Sequence, residues 1–141
     1  MEYTDLAKKQ ADYSADSVMP RNYNGRVRIA HGVFVSGGTV ASGSKIALAR
    51  LPKGAKLLGS SKVYFPAGLD ASFTAKVGDS LDDDRYLVAV APGTTAKALY
   101  LDANVANDTP LAGNDYITLT TGGAVLAASV TISAELYFVI D

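Results

Sequence analysis

A chain of 141 residues with a formal charge of −1, one histidine and no cysteine has the length of one domain that buries about two-thirds of its unfolded surface. The absence of cysteine excludes disulfides, thiolate nucleophiles, zinc ribbons and iron–sulfur ligation, and the single histidine excludes any site that needs two imidazoles from one chain. No apolar run reaches the roughly 18 residues of a membrane span, and Met1 to Gln10 is polar and begins with acidic residues where a secretory signal is basic and then apolar, so the expectation is a soluble, non-enzymatic domain without membrane contact.

Residues 1–25 read as an extended or partly helical N-terminal arm. Tyr3, Leu6, Gln10 and Tyr13 fall at helical spacing beside Ala7 and Ala11, and Thr4 or Asp5 can cap the start. A helix this short is not stable in isolation, and Pro20-Arg21-Asn22-Tyr23-Asn24-Gly25 reads as a turn-rich connector. An arm with aromatic anchors and no core of its own, unless it is disordered, docks on its own domain or on a neighbouring subunit or partner. The second is expected here, because it adds contact area at little cost to the fold of the domain.

From Arg26 to Asp141 the dominant signal is alternation of period two, broken by glycine and small polar residues every eight to twelve positions, the pattern of an antiparallel sandwich or barrel. Val27, Ile29, His31, Val33 and Val35 share one side of a first strand, which the turn Ser36-Gly37-Gly38 ends. A second strand runs from Lys45 to Leu51 and stops at Pro52-Lys53-Gly54, since proline lacks the ladder proton and glycine accepts positive φ. Further strands follow at 55–58, 62–65, 72–77, 85–91, 98–101 and 116–121, the last leading into Gly122-Gly123. The final strand is the clearest: Val130, Ile132, Ala134, Leu136, Phe138 and Ile140 line one face, opposite Thr131, Ser133, Glu135 and Tyr137. A strand so complete is expected at the centre of its sheet. Nine strands in this length predict an all-β fold, an antiparallel β-sandwich of jelly-roll type. One internal echo, Ser36-Gly37-Gly38-Thr39-Val40-Ala41-Ser42 and Thr121-Gly122-Gly123-Ala124-Val125-Leu126-Ala127, reads as one loop solution used twice.

Charge is segregated along the chain. Residues 1–20 carry −2, residues 21–76 carry +8 with Asp70 as their one acid, and residues 77–141 carry −7. If strands of the two halves interleave, these charges neutralise one another across the sheets; if they lie on different faces, copies of the molecule attract head to side or a basic face meets an acidic partner.

Few groups suggest chemistry. His31 is the one general-base candidate near neutral pH, and its place between Ile29 and Val33 predicts a partly buried structural histidine. No Gly-x-Ser-x-Gly elbow is present, and the glycine pairs lack the lysine and helix start of a phosphate loop. Asp79-Ser80-Leu81-Asp82-Asp83-Asp84 offers oxygens of the kind calcium takes. It departs from the EF-hand order, with Asp84 at the sixth position and Val90 at the twelfth, so a solvated acidic turn is the expected reading and neither a metal nor a cofactor is assigned. Arg21, Tyr23, Arg26 and Arg28 have the basic and aromatic look of a nucleic-acid contact, but a domain of charge −1 lacks the strongly basic footprint, and no direct nucleic-acid binding is expected.

The segment Ile46-Ala47-Leu48-Ala49-Arg50-Leu51-Pro52-Lys53-Gly54-Ala55-Lys56-Leu57-Leu58-Gly59 resembles the capsid decoration, or cement, proteins of tailed bacteriophages. The resemblance continues through Val77-Gly78-Asp79, Asp84-Arg85-Tyr86-Leu87, Thr121-Gly122-Gly123-Ala124 and Leu136-Tyr137-Phe138-Val139. It implies a β-sandwich on the outside of an icosahedral head, made in the host cytoplasm, often trimeric, with a terminal arm that reaches neighbouring subunits of the major capsid protein. Tyrosine and arginine are favoured at such contacts. The residues expected there are Tyr3, Leu6, Tyr13, Arg21 and Tyr23 of the arm, then Arg26, Arg28, Lys53 and Lys56 against acidic partners, with Asp82, Asp83 and Asp84 facing the basic half of a neighbouring copy. The alternative is a carbohydrate- or receptor-binding module on the same scaffold; against it, the chain has no tryptophan to stack on a sugar.

Overall fold

A computed structural model of the chain describes residues 26–101 and 110–140. Nine strands form there: β1 (Arg26–Val35), β2 (Lys45–Leu51), β3 (Lys56–Leu57), β4 (Lys62–Phe65), β5 (Thr74–Gly78), β6 (Leu87–Val90), β7 (Lys97–Tyr100), β8 (Asp115–Gly122) and β9 (Thr131–Ile140). They make two antiparallel sheets, β1-β9-β4-β7 with β3 also on β9, and β2-β8-β5-β6. The all-β sandwich expected from the alternation is therefore the fold, and every expected strand lies within two residues of an observed one.

Apart from the two-residue β3, the pairing is nested: β1 with β9, β2 with β8, β4 with β7, β5 with β6. One long antiparallel ribbon is thus wound into two layers, which is the jelly roll. Its tip is the loop between β5 and β6, which contains the acidic stretch. Where the ribbon first turns from one sheet to the other, its two strands are the two echo segments. They pair with each other through Val40 N–H to Leu126 O (2.8 Å) and Leu126 N–H to Val40 O (2.9 Å). The leading hydroxyl of each echo bonds the other's backbone: Ser36 Oγ donates to Ala127 O (2.7 Å), and Thr121 Oγ1 donates to Ala41 O (3.0 Å). The repeated loop is thus one corner made by both strands of the ribbon.

The core lies between the sheets. Ile132, Ala134, Leu136 and Phe138 of β9 are buried as their alternation requires, with Val63 and Phe65 of β4, Ile117 and Leu119 of β8 and Val77 of β5. Phe65 and Phe73 meet edge to face at 6.4 Å. β9 occupies the central position expected of it, flanked by β1 on one side and by β4 and β3 on the other.

β1 overturns one expectation. Its larger apolar set faces outward: Val27, Ile29, Val33 and Val35 are 58–62% exposed, and His31 among them is exposed, not partly buried. The inward set is Ala30, Gly32 and Phe34. The reason is steric. A Cβ at Gly32 would run into the Leu48 carbonyl of β2, so the two edge strands approach backbone to backbone and only the face that carries a glycine at this point fits.

Candidate contact surfaces

Of the residues expected at contacts, Tyr3, Leu6, Tyr13, Arg21 and Tyr23 lie outside the described residues. Arg26 and Arg28 stand exposed at the start of β1, in register with Ile140 and Phe138. Lys53 is exposed in the turn after β2, where its N–H donates to Asn114 Oδ1 (2.9 Å) and Gly54 takes φ +83°. Lys56 is half-buried opposite Val139 of β9. Asp82, Asp83 and Asp84 sit together at the ribbon tip, their carboxylate oxygens within 4.8 Å of one another. The basic and acidic halves of the chain interleave in both sheets, and among the described residues ion pairs such as Lys62 to Glu135 (3.8 Å) and Lys76 to Asp83 (2.7 Å) join them. Part of the segregated charge is therefore neutralised within the fold.

The ribbon tip is organised by Asp79, which is 2% exposed. One carboxylate oxygen accepts from the N–H groups of Leu81 (3.0 Å) and Asp82 (3.1 Å). The other accepts from the Tyr86 hydroxyl (3.2 Å) and meets Arg85 Nε (3.3 Å). Burial, with the Asp79 charge beside it, pushes the Tyr86 phenol well above its ordinary range. The loop folds back so tightly that a Cβ on Gly78 would strike the backbone of Asp82 and Asp83. Beyond it the Lys76 ammonium holds the Asp83 carboxyl below its ordinary value, whereas a hydrogen bond shared with Asp82 holds Asp84 above. Lys76 supplies at Asp83 the positive charge a metal would bring, and the loop geometry is accounted for by Asp79. A cleft of about 290 Å³ beside the tip is lined by Leu81, Arg85, Leu111 and Asn114; its acidic groups are already engaged, Asp79 as described and Asp115 by Ser80 Oγ (2.5 Å) and Ser80 N–H (3.1 Å).

These bonds set an acid response. The Ser80 hydroxyl first, then backbone N–H groups, hold Asp115 below its ordinary value; Lys76 does the same for Asp83, and Ser72 for Asp70. A carboxyl whose folded pKa is depressed adds stability above its unfolded pKa of about 3.9 and loses it as pH falls through the folded value. Asp84 has the opposite sign, since its protonation relieves repulsion from Asp82. Acid unfolding followed by circular dichroism is expected to begin below about pH 4, and Ser80→Ala to move its midpoint upward. An unchanged midpoint would show that the Ser80–Asp115 bond does not persist in solution.

The outer face of the β1-β9-β4-β7 sheet was not legible as a unit in the sequence. Across it, in register, run His31, Glu135, Lys62 and Tyr100. Glu135 Oε2 accepts from the hydroxyls of Tyr137 (3.1 Å) and Tyr64 (3.4 Å) and faces Lys62 Nζ. The ammonium of Lys62 lies 5.2 Å from the Tyr64 ring centre and 5.9 Å from that of Tyr100, within cation–π range. The Tyr64 hydroxyl beside it is the leading reason that Lys62 titrates above its ordinary value, and the Glu135 bond likewise raises Tyr137. The face thus has two halves, an aliphatic stripe on β1 and a tyrosine-rich half on β4, β7 and β9. The sequence signals for it are the shared side of Val27, Ile29, His31, Val33 and Val35 and the polar alternation of Thr131, Ser133, Glu135 and Tyr137, which say nothing of the strands that pair beside them.

No family model and no curated protein matches the chain. Among solved structures it is similar to a chain of the capsid of Ralstonia phage GP4, with a TM-score of 0.68 and 16% identity over 82% of this chain and 85% of that one. It is similar to a chain of the cyanophage Pam1 capsid asymmetric unit, with a TM-score of 0.61 and 17% identity over 94% and 95%. A chain of the acidic stable capsid structure of Helicobacter pylori bacteriophage KHP30 gives 0.53 and 13% over 81% and 87%. At these identities the likeness establishes a shared fold, and the structural neighbours of this β-sandwich are chains of phage capsids.

Proposed function

We propose that the chain is a structural virion protein that sits on the outer surface of an icosahedral phage head and stabilises contacts between major capsid protein subunits. The observation that carries this reading is the near full-length likeness to chains from the capsids of three phages. Such a protein acts without chemistry. It spreads many modest contacts over the seams between subunits, and because it binds the assembled shell in preference to loose subunits, it stabilises the shell by mass action. The sandwich supplies a rigid body, and the arm of residues 1–25, with Tyr3, Leu6, Tyr13, Arg21 and Tyr23, extends its reach to neighbouring subunits. Arg26, Arg28, Lys53 and Lys56 complement acidic capsid surface. His31 fits this non-enzymatic role: it stands on an open sheet face with Glu135 across the ladder and aliphatic residues on either side.

Heads carrying the protein are expected to release their genome at a higher temperature than heads lacking it, as read by dye access to DNA on heating. A chain lacking residues 1–22 is expected to keep its β-sheet circular dichroism while binding heads at least tenfold more weakly, the loss of about 1.4 kcal/mol or more. Equal release temperatures with and without the protein would remove the cementing role, and undiminished binding by the shortened chain would remove the arm from it.

A further inference from the structure

We propose that the outer face of the β1-β9-β4-β7 sheet is a two-fold contact between copies of this chain. This goes beyond the virion reading and does not depend on it.

The face is built like an interface. Val27, Ile29, Val33 and Val35 are each more than half exposed on a ten-residue strand that, among the described residues, has a ladder partner on one side only. Edge strands of this length are ordinarily guarded by charge or proline, and here the charges, Arg26 and Arg28, are confined to one end. The stripe spans about 26 Å at the usual rise per residue, with His31 at its middle, and exposed apolar surface of this extent marks a contact site. Beside it, Tyr64 and Tyr137 are held by Glu135, so their rings lose little freedom on burial.

The charge order names the occupant. The in-register row reads His31, Glu135, Lys62, Tyr100: aliphatic surroundings, acid, base, aromatic. A two-fold axis parallel to the strands, lying between the two faces and over the gap between β9 and β4, sets β1 of one copy over β7 of the other and β9 over β4. Glu135 of each copy then faces Lys62 of the other, and His31 and Val33 of each lie over Tyr100 and Ala98 of the other. The row is antisymmetric about its midline and therefore complementary to itself. Glu135 has the capacity for this contact, because its described bonds all go to Oε2, leaving Oε1 as an acceptor. Two sheets stacked in this way pack about 10 Å apart, and the strand lengths give a projected area on the order of 500 Å² per copy, in the range of a small specific interface.

The experiment is the mass of the full chain in solution by sedimentation equilibrium, for the natural sequence, Lys62→Glu, Glu135→Lys and an equimolar mixture of the two variants. The natural chain is expected at twice the monomer mass. Each single variant sets like charges against each other twice across the axis and is expected to dissociate about tenfold more readily or worse, as is Val33→Asp, which leaves Lys62 and Glu135 in place. In the mixture, the copy with lysine at both positions meets the copy with glutamate at both, and dimers are expected to return. Circular dichroism of each variant checks the fold. A monomeric natural chain, a trimeric mass unchanged by these substitutions, or a mixture of folded variants that stays dissociated would overturn the proposal.

Discussion

Replacing Gly32 by valine is expected to lower the unfolding free energy by about 3 kcal/mol, at the upper end for overpacking a close contact, and the melting temperature by about 10 °C. The position has no room for a side chain, since even the first carbon would overlap the Leu48 carbonyl. The clash is with backbone, not with the end of a flexible side chain, so it is relieved only by moving β1 away from β2. That movement would loosen the packing of Ala30 and Phe34 against the core and strain the β1–β9 ladder, which runs the full length of both strands. Gly37, five residues on, is the control: nothing lies within 4 Å of an added Cβ there and its φ is not in the left-handed region, so Gly37→Ala is expected to change stability by less than about 0.5 kcal/mol. Equal behaviour of Gly32→Val and Gly37→Ala in thermal denaturation would show that β1 does not lie against β2 as described.

Asp79→Ala is expected to be the most damaging polar substitution, at about 3–5 kcal/mol, the range for removing one partner of a buried charged network. Four donors converge on this carboxylate: two loop N–H groups, the Tyr86 hydroxyl and Arg85 Nε. Alanine leaves a buried phenol and a largely buried guanidinium without their acceptor, and those desolvation costs are then uncompensated. Asp79→Asn keeps one oxygen for the two N–H groups and loses the charge that Arg85 meets, so its expected cost is about 1–2 kcal/mol. The alanine variant also releases the turn that gathers Asp82, Asp83 and Asp84, and faster amide exchange at 80–85 than in the asparagine variant would report it. Equal denaturant midpoints for the two variants would mean that the tip is held by something other than this carboxylate.

The nine strands were readable because alternation of period two and glycine-rich breaks are local signals. Lys45–Leu51 and Lys62–Phe65 match their expected spans residue for residue, and β9 showed its central place by carrying a full apolar face. The echo of residues 36–42 and 121–127 was visible as a similarity, while its meaning, two strands of one ribbon turning the same corner, required the pairing of Val40 with Leu126. The expected contact residues were readable as types; the gathering of Asp82, Asp83 and Asp84 depended on a buried Asp79 that alternation cannot distinguish from its exposed neighbours.

By itself, then, the sequence determined an all-β sandwich, the absence of thiol and multi-histidine chemistry, and which residues of β9 face the core, since each follows from composition or from the two-residue period of a strand. Only the tertiary structure decided which side of β1 points inward, because the choice between a valine face and a glycine–alanine face depends on how closely another backbone approaches. It also decided that Lys62, Glu135, Tyr64 and Tyr100 share one face, since a ladder brings together residues that are distant along the chain and no local pattern records its partners.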